Sequence, residues 1–253
     1  MADHERSAIA IILGRGGSKG LPRKNLLNVA GKPCVQWTIE ASQRARCVRE
    51  VVASSDDAEL LELARGLGAR AVARPAELAS DTSTVDAAAR HAVGELEIAA
   101  GKPFLASQAF VVLYANVPVR PEGLIDRAVE LLIEQHADSV QSYAPVGKYH
   151  PWWMARIDPT GAVRPWEGDV LNHGIFRRQD LPPVFVPDGG VIVVTRESLM
   201  LDITGIPPTA GPHAFFGRED RRRGIINSEG SVIDIDSKID MMVAEAMLAT
   251  RPR

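Results

Sequence analysis

The sequence predicts an α/β protein, a Rossmann-like and mostly parallel sheet with helices on both faces. Three observations predict it. Short apolar runs alternate with stretches of helical period along the first 143 residues, and unbroken β-rich runs read as strands covered on both sides. The first run, Ala8-Ile9-Ala10-Ile11-Ile12, passes straight into the loop Gly14-Arg15-Gly16-Gly17-Ser18-Lys19-Gly20, where backbone N–H groups are free to face a ligand. The chain has 253 residues, 45% hydrophobic and 24% charged, enough for one large domain with a real core.

Each element follows from its own residues. After the loop, Gly31-Lys32-Pro33 leads into a helix with Val35, Ile39 and Ala41 at its apolar positions, ending near Arg46. Residues 51–54 form the second strand, and Ser55-Asp56-Asp57 caps a helix carrying Leu60, Leu61, Leu63, Ala64 and Leu67 until Gly68 stops it. A short strand at 71–73 is followed by a crossing loop and a helix from Val85 to about Leu96, capped by the oxygens of Asp81-Thr82-Ser83-Thr84. The fourth strand is 110–114, a helix starts at Pro121 and runs through Leu132, and another strand spans 138–143. The chain closes with a strand at 232–236 and an amphipathic helix N-capped by Ser237.

Residues 145–187 break this rhythm. They are rich in proline and aromatics, including Tyr149-His150-Pro151-Trp152-Trp153, and have no useful helical period. The prediction is one domain over 1–253 with an inserted excursion at 145–187, rather than a second domain. Exposed Trp and Phe on such an arm make either an association surface or a lid packed on its own sheet. Residues 188–194 then return to the sheet.

Composition excludes several classes of function. The formal net charge of −3 leaves no general basic surface, so nucleic acid is not an expected partner. Met1-Ala2-Asp3-His4-Glu5-Arg6 lacks an apolar signal segment and no run reaches the length of a membrane span, which predicts a soluble, cytoplasmic protein without membrane contact. Cys34 and Cys47 stand in no paired or metal-binding pattern and read as ordinary buried thiols. Arg221-Arg222-Arg223, flanked by Glu219-Asp220, reads as a solvated loop. No nucleophilic triad stands out.

The glycine loop is the first chemical signal. Arg15, Lys19, Arg23 and Lys24 crowd around it, a cation density that suits a polyanion such as a triphosphate. A Walker loop is excluded because Lys19 lies between Ser18 and Gly20. A dinucleotide fingerprint survives only in the loose spacing Gly14, Gly16, Gly20, and a dinucleotide loop has no need of so many cations. Asp234-Ile235-Asp236 is the second signal. In a strand, residues two apart face the same way, so both carboxylates leave together while Ile235 enters the core. Hard oxygens that close together suit Mg²⁺ (or Mn²⁺) shared with substrate phosphates.

The order Arg15-Gly16-Gly17-Ser18-Lys19-Gly20-Leu21-Pro22-Arg23-Lys24-Asn25 after a first strand resembles the signature of the acylneuraminate cytidylyltransferases, which activate nonulosonic acids. Arg74-Pro75-Ala76-Glu77-Leu78-Ala79 with Asp81-Thr82, and Arg178-Gln179-Asp180-Leu181-Pro182 on the excursion, extend the resemblance over most of the chain. It implies a nucleotide-diphospho-sugar transferase fold whose inserted arm makes a homodimer, with CTP and a nine-carbon 2-keto sugar acid as substrates. It further implies that Arg15 and Lys19 stabilise charge on the phosphates and that Gly16, Ser18, Lys24 and Asn25 hold the nucleotide. Arg74 and the loop around Thr84 would contact cytidine, Arg178 the sugar carboxylate or a phosphate, and Asp234 and Asp236 the metal, with Asp236 also catalytic. Tyr114-Ala115-Asn116-Val117-Pro118 replaces the Gln-Pro-Thr-Ser-Pro of the sialic acid enzymes and looks more like the pseudaminic branch, and Trp153 stands where a lysine is expected. Tyr114 therefore belongs to the substrate contacts, and a sugar other than plain N-acetylneuraminate is implied. A CMP-Kdo-type synthetase, a non-catalytic nucleotide-sugar binding protein and a nicotinamide-dependent oxidoreductase remain as alternatives.

Overall fold

Strand β1 (Ala8–Leu13) is buried along its whole length, with its even and odd residues serving two different cores. Ala8, Ala10 and Ile12 pack on one face of the sheet with Val35, Leu60 and Val193, while Ile9, Ile11 and Leu13 pack on the other with Ala89, Val112 and Val194. A strand apolar on both faces has to sit centrally. The structure, a computed structural model, describes residues 7–17, 20–205 and 212–250. Around β1 stand β2 (Val48–Ser55), β3 (Arg70–Ala73), β4 (Ala109–Tyr114), β5 (Ser139–Pro145), β6 (Phe185–Thr195) and β7 (Arg222–Ile226). They make one seven-stranded sheet in the order β7-β5-β6-β4-β1-β2-β3. Only β6 runs antiparallel to its neighbours.

Helices α1 (Cys34–Arg44), α2 (Ala58–Gly66) and α4 (Leu124–Glu134) cover one face, and α3 (Val85–Ala100) with the short α5 (Arg196–Leu199) covers the other. Helix α6 (Lys238–Ala249) closes a third, smaller core with Val29, Cys34, Val119 and Ile235. The caps fall where the sequence places them. Asp57 accepts from the N–H groups of Glu59 and Leu60, Thr84 from Ala87, and Ser237 forms a reciprocal capping box with Asp240. Among the described residues no helix is long and apolar enough to cross a membrane.

Three elements differ from expectation. Residues 232–236 form no strand: a single bridge joins Ile233 to Val119, and among the described residues the only backbone carbonyls the segment's N–H groups reach are those of Val119 and Asn116. The edge strand is instead β7, which includes Arg222 and Arg223. Its charged, unalternating sequence is what an exposed edge requires, and that removes the periodic signal. Helix α4 begins at Leu124, after Gly123 with φ +65, rather than at Pro121. The excursion leaves β5 at Pro145 and returns as β6, the two pairing Phe185 with Pro145 and Val186 with Ala144. That hairpin closure makes β6 antiparallel. The excursion itself holds a two-stranded ribbon and short turns, with Phe176, Val170 and Trp166 exposed.

Candidate functional site

The glycine loop leaves the sheet where β1, β2 and β4 present their carboxyl ends. Gly14 donates to the carbonyl of Ser54, and a side chain there would put its Cβ 2.9 Å from both Ala115 Cβ and Leu60 Cδ1. Glycine is needed for that close approach. Two buried donors then pin the loop: an Nη of Arg74 reaches the carbonyls of Gly14 at 2.5 Å and Ser54 at 3.2 Å, and Asn25 Nδ2 that of Arg15 at 2.9 Å. Burial pushes the Arg74 guanidinium below its ordinary value. Both residues line the cleft, and both spend donors on its backbone. The loop also closes against the acidic segment, because a Cβ on Gly20 would meet the Asp236 carbonyl oxygen at 2.8 Å.

The cations of the loop are answered one by one. Arg15 pairs with Asp81 at 2.7 Å, the Gly16 N–H donates to Asp56 at 2.9 Å, and Lys24 donates to Asp236. Arg23 turns away onto Asp57 and Glu59 at the start of α2. Ser18 and Lys19 lie outside the described residues. Asp234 faces the same centre and accepts from Asn116, whose Nδ2 also donates to the Ile235 carbonyl. Burial, and then repulsion from Asp236, push the Asp234 carboxyl up to about 6. Asp240 is engaged elsewhere, accepting from the N–H groups of Asp236 and Ser237. The alternation expected around Ile235 survives without a strand: Ile235 is fully buried and the flanking aspartates point to the cleft side.

These residues enclose a cleft of about 240 Å³, lined by Arg15, Lys24, Asn25, Arg74, Thr84, Tyr114 and Asn116 among others. It adjoins a second cavity of about 490 Å³, with which it shares Thr84, Val85 and Tyr114. The further wall is Gln141 and Tyr143 of β5, Ile192 of β6, His213, Phe215 and Phe216 of the following turn, and Arg222 and Arg223 of β7. Tyr114 is packed at the junction over Gly189, which has φ +74, and its phenol is raised by burial and by Asp234.

The sequence signals therefore converge unevenly. Arg15, Gly16, Lys24, Asn25, Arg74, Thr84, Tyr114, Asp234 and Asp236 meet around one junction. Arg178 does not: it pairs with Glu229 at 2.6 Å and lines neither cleft. His150 is buried and caps a turn of the excursion, and His173 stacks on Trp152 at 4.5 Å, so neither reaches the cavity. The arginine run read as a solvated loop is instead part of the second cavity through Arg222 and Arg223, while Arg221 turns to Asp138. Gln141, Tyr143 and His213 belong to no motif, and only their tertiary neighbours identify them.

A family model described as cytidylyltransferase matches residues 9–150. The N-acylneuraminate cytidylyltransferase of Streptococcus agalactiae serotype III is 30% identical over 194 residues, covering 76% of this chain and 44% of that protein. The match thus spans less than half the length of that relative. The CMP-N,N'-diacetyllegionaminic acid synthase of Legionella pneumophila is 28% identical over 247 residues, 95% of each chain. Among solved structures, a CMP:2-keto-3-deoxy-manno-octonic acid synthetase complexed with CTP shares the fold with a TM-score of 0.66 at 15% identity, over 96% of this chain and 98% of that one.

Proposed function

The chain belongs to the cytidylyltransferase family, and from that premise we propose that it couples CTP to a nine-carbon 2-keto sugar acid, releasing pyrophosphate. What carries the reading is the adjacency of the two clefts, whose linings share Tyr114 and Thr84. A nucleotide held by the glycine loop then has an adjoining cavity large enough for the second substrate. The names of the streptococcal and Legionella relatives, for an acylneuraminate and a legionaminic acid, support the substrate class.

In the proposed reaction the anomeric hydroxyl attacks the α-phosphorus in line. One P–O bond forms, the bond from the α-phosphorus to the bridging oxygen breaks, and the hydroxyl's proton is released with the pyrophosphate. Arg15 and Lys19 neutralise charge on the phosphates, Lys24 and the Gly16 backbone hold them, and Arg74 and Asn25 keep the loop in shape. Thr84 borders the nucleoside end and Tyr114 the junction. Asp234 and Asp236 fit a hard divalent cation, Mg²⁺ or Mn²⁺, because both offer only oxygen donors and the Asp234 carboxyl, raised by burial and then by the neighbouring Asp236, would be relieved by a cation between them. No cluster of three or more His, Cys, Asp or Glu side chains suited to a metal occurs among the described residues, so phosphate oxygens and water would complete the coordination. When bound, the metal supplies electrostatic neutralisation of the phosphates.

The exposed aromatic excursion at 145–187 is assigned to a homodimer, whose second copy is where Arg178 would meet substrate. We place the protein in the cytoplasm as part of this reading. The test is pyrophosphate release with Mg²⁺, scanning CTP, UTP, ATP and GTP against N-acetylneuraminate, Kdn, N,N'-diacetyllegionaminate, pseudaminate and Kdo. Release with CTP and one nine-carbon acid is expected. CTP binding without release for any acid would leave a nucleotide-sugar binding protein.

A further inference from the structure

The wall of the second cavity carries a cation, Arg222, with no acid to answer it among the described residues, and we propose that it reads the carboxylate of the sugar acid. The inference rests on the reaction proposed above and names one contact in it. Arg222 opens β7 in register with Ser139 of β5, so its side chain shares a sheet face with Ser139 and Gln141, and all three line the cavity. Its Nε and one Nη donate to the carbonyl of Gly217 at 3.2 and 2.8 Å, which turns the guanidinium toward the 212–216 turn that forms the opposite wall. Its other Nη makes no hydrogen bond, and no carboxylate lies within ion-pair distance among the described residues.

The surrounding charges are already spent. Arg218 and Arg221 both pair with Asp138, and the single acid of the cavity lining, Asp86, is held by Arg90 at 2.6 Å. The cavity is left with a net positive wall beside the apolar Ile192, Phe215 and Phe216. That combination suits a monoanion on a body with both polar and apolar parts, which describes a carboxylate-bearing acylated sugar. Arg223 also lines this wall, its Nη1 given to the carbonyls of Asp220 and Arg222, while Arg222 keeps a whole Nη toward the cavity for the acid, and a guanidinium prefers carboxylate as its partner.

The test compares the free acid with its methyl ester. The wild type is first measured for pyrophosphate release with saturating CTP and Mg²⁺ across the panel above, and the acid giving the fastest release is measured again as its ester. The wild type is expected to prefer acid over ester by about tenfold or more in kcat/KM. Arg222→Ala should collapse that preference to within about twofold and raise KM for the acid about tenfold, with KM for CTP and the melting temperature unchanged. Arg222→Lys should recover part of the preference. An undiminished preference for the acid in Arg222→Ala overturns the assignment. So does an equal rise in KM for CTP, which would make Arg222 a support for the sheet edge. If the wild type releases pyrophosphate with no acid of the panel, the reaction falls and takes the assignment with it. That failure is read in the wild type alone, before any variant, and so is distinct from the others.

Discussion

The two clefts that meet at Tyr114 treat their cations in opposite ways. On the glycine-loop side Arg15 faces Asp81, Lys24 faces Asp236, and a loop N–H is taken by Asp56. On the other side Arg222 leans on a backbone carbonyl and meets no acid among the described residues. Charge explains the difference. Several cations on one short loop repel each other, and carboxylate partners keep the loop in place until a ligand comes. A triphosphate carries enough charge to displace single carboxylates one at a time. A monocarboxylate would not displace a carboxylate already in position, so a site for one leaves its arginine open.

Breaking the acidic side of the glycine-loop cleft should have the largest effect. Asp236→Ala removes the partner of Lys24 and half of the carboxylate pair, and turnover should fall by about 10²–10³. The side chain is 71% exposed, so the melting temperature should hold. Lys19→Ala should lose activity on the same scale, and wild-type turnover in either variant would take that residue out of the reaction.

Gly14→Ala sharpens the comparison from the side of packing. The new Cβ would press on Ala115 and Leu60 at 2.9 Å, and overpacking of that kind costs about 1–3 kcal/mol. A lower melting temperature and a higher KM for CTP are expected, with the acid-over-ester preference intact. An unchanged melting temperature would mean that the end of β1 yields freely. The smallest effect belongs to a site remote from both clefts. The Arg196 guanidinium holds the Glu97 carboxyl below its ordinary range, chiefly through their hydrogen bond at 2.6 Å. A depressed carboxyl contributes stability above its unfolded pKa of about 4.3 and loses it as pH falls through the lower folded value. Glu97→Gln should therefore cost about 1 kcal/mol at pH 7, less at pH 3, and move neither KM. A loss in melting temperature as large at pH 3 as at pH 7 would show that the carboxylate's charge is not what stabilises.

The glycine-loop cleft was legible because its parts are local in sequence. An apolar strand, a glycine turn and a cap such as Asp57 each declare themselves within a few residues, and their chemistry depends little on what stands across the molecule. Even the aspartate pair was legible through the buried Ile235 between them, although the strand assumed there does not form. The second cavity had no such signal. Gln141 and Tyr143 sit in a strand whose face toward the cavity is settled only by the neighbours it pairs with. Arg222 lies in an edge strand whose polarity looks, in one dimension, like solvent exposure.

By itself the sequence determined the α/β architecture, the cation-bearing glycine loop and the acidic pair, since periodicity and close spacing are properties of the chain. Only the tertiary structure decided which donors of the loop serve its own backbone, that Arg178 stands apart, and that β7 brings an open guanidinium to the wall beyond Tyr114. Those depend on strand order and register, which bring together residues far apart in the chain.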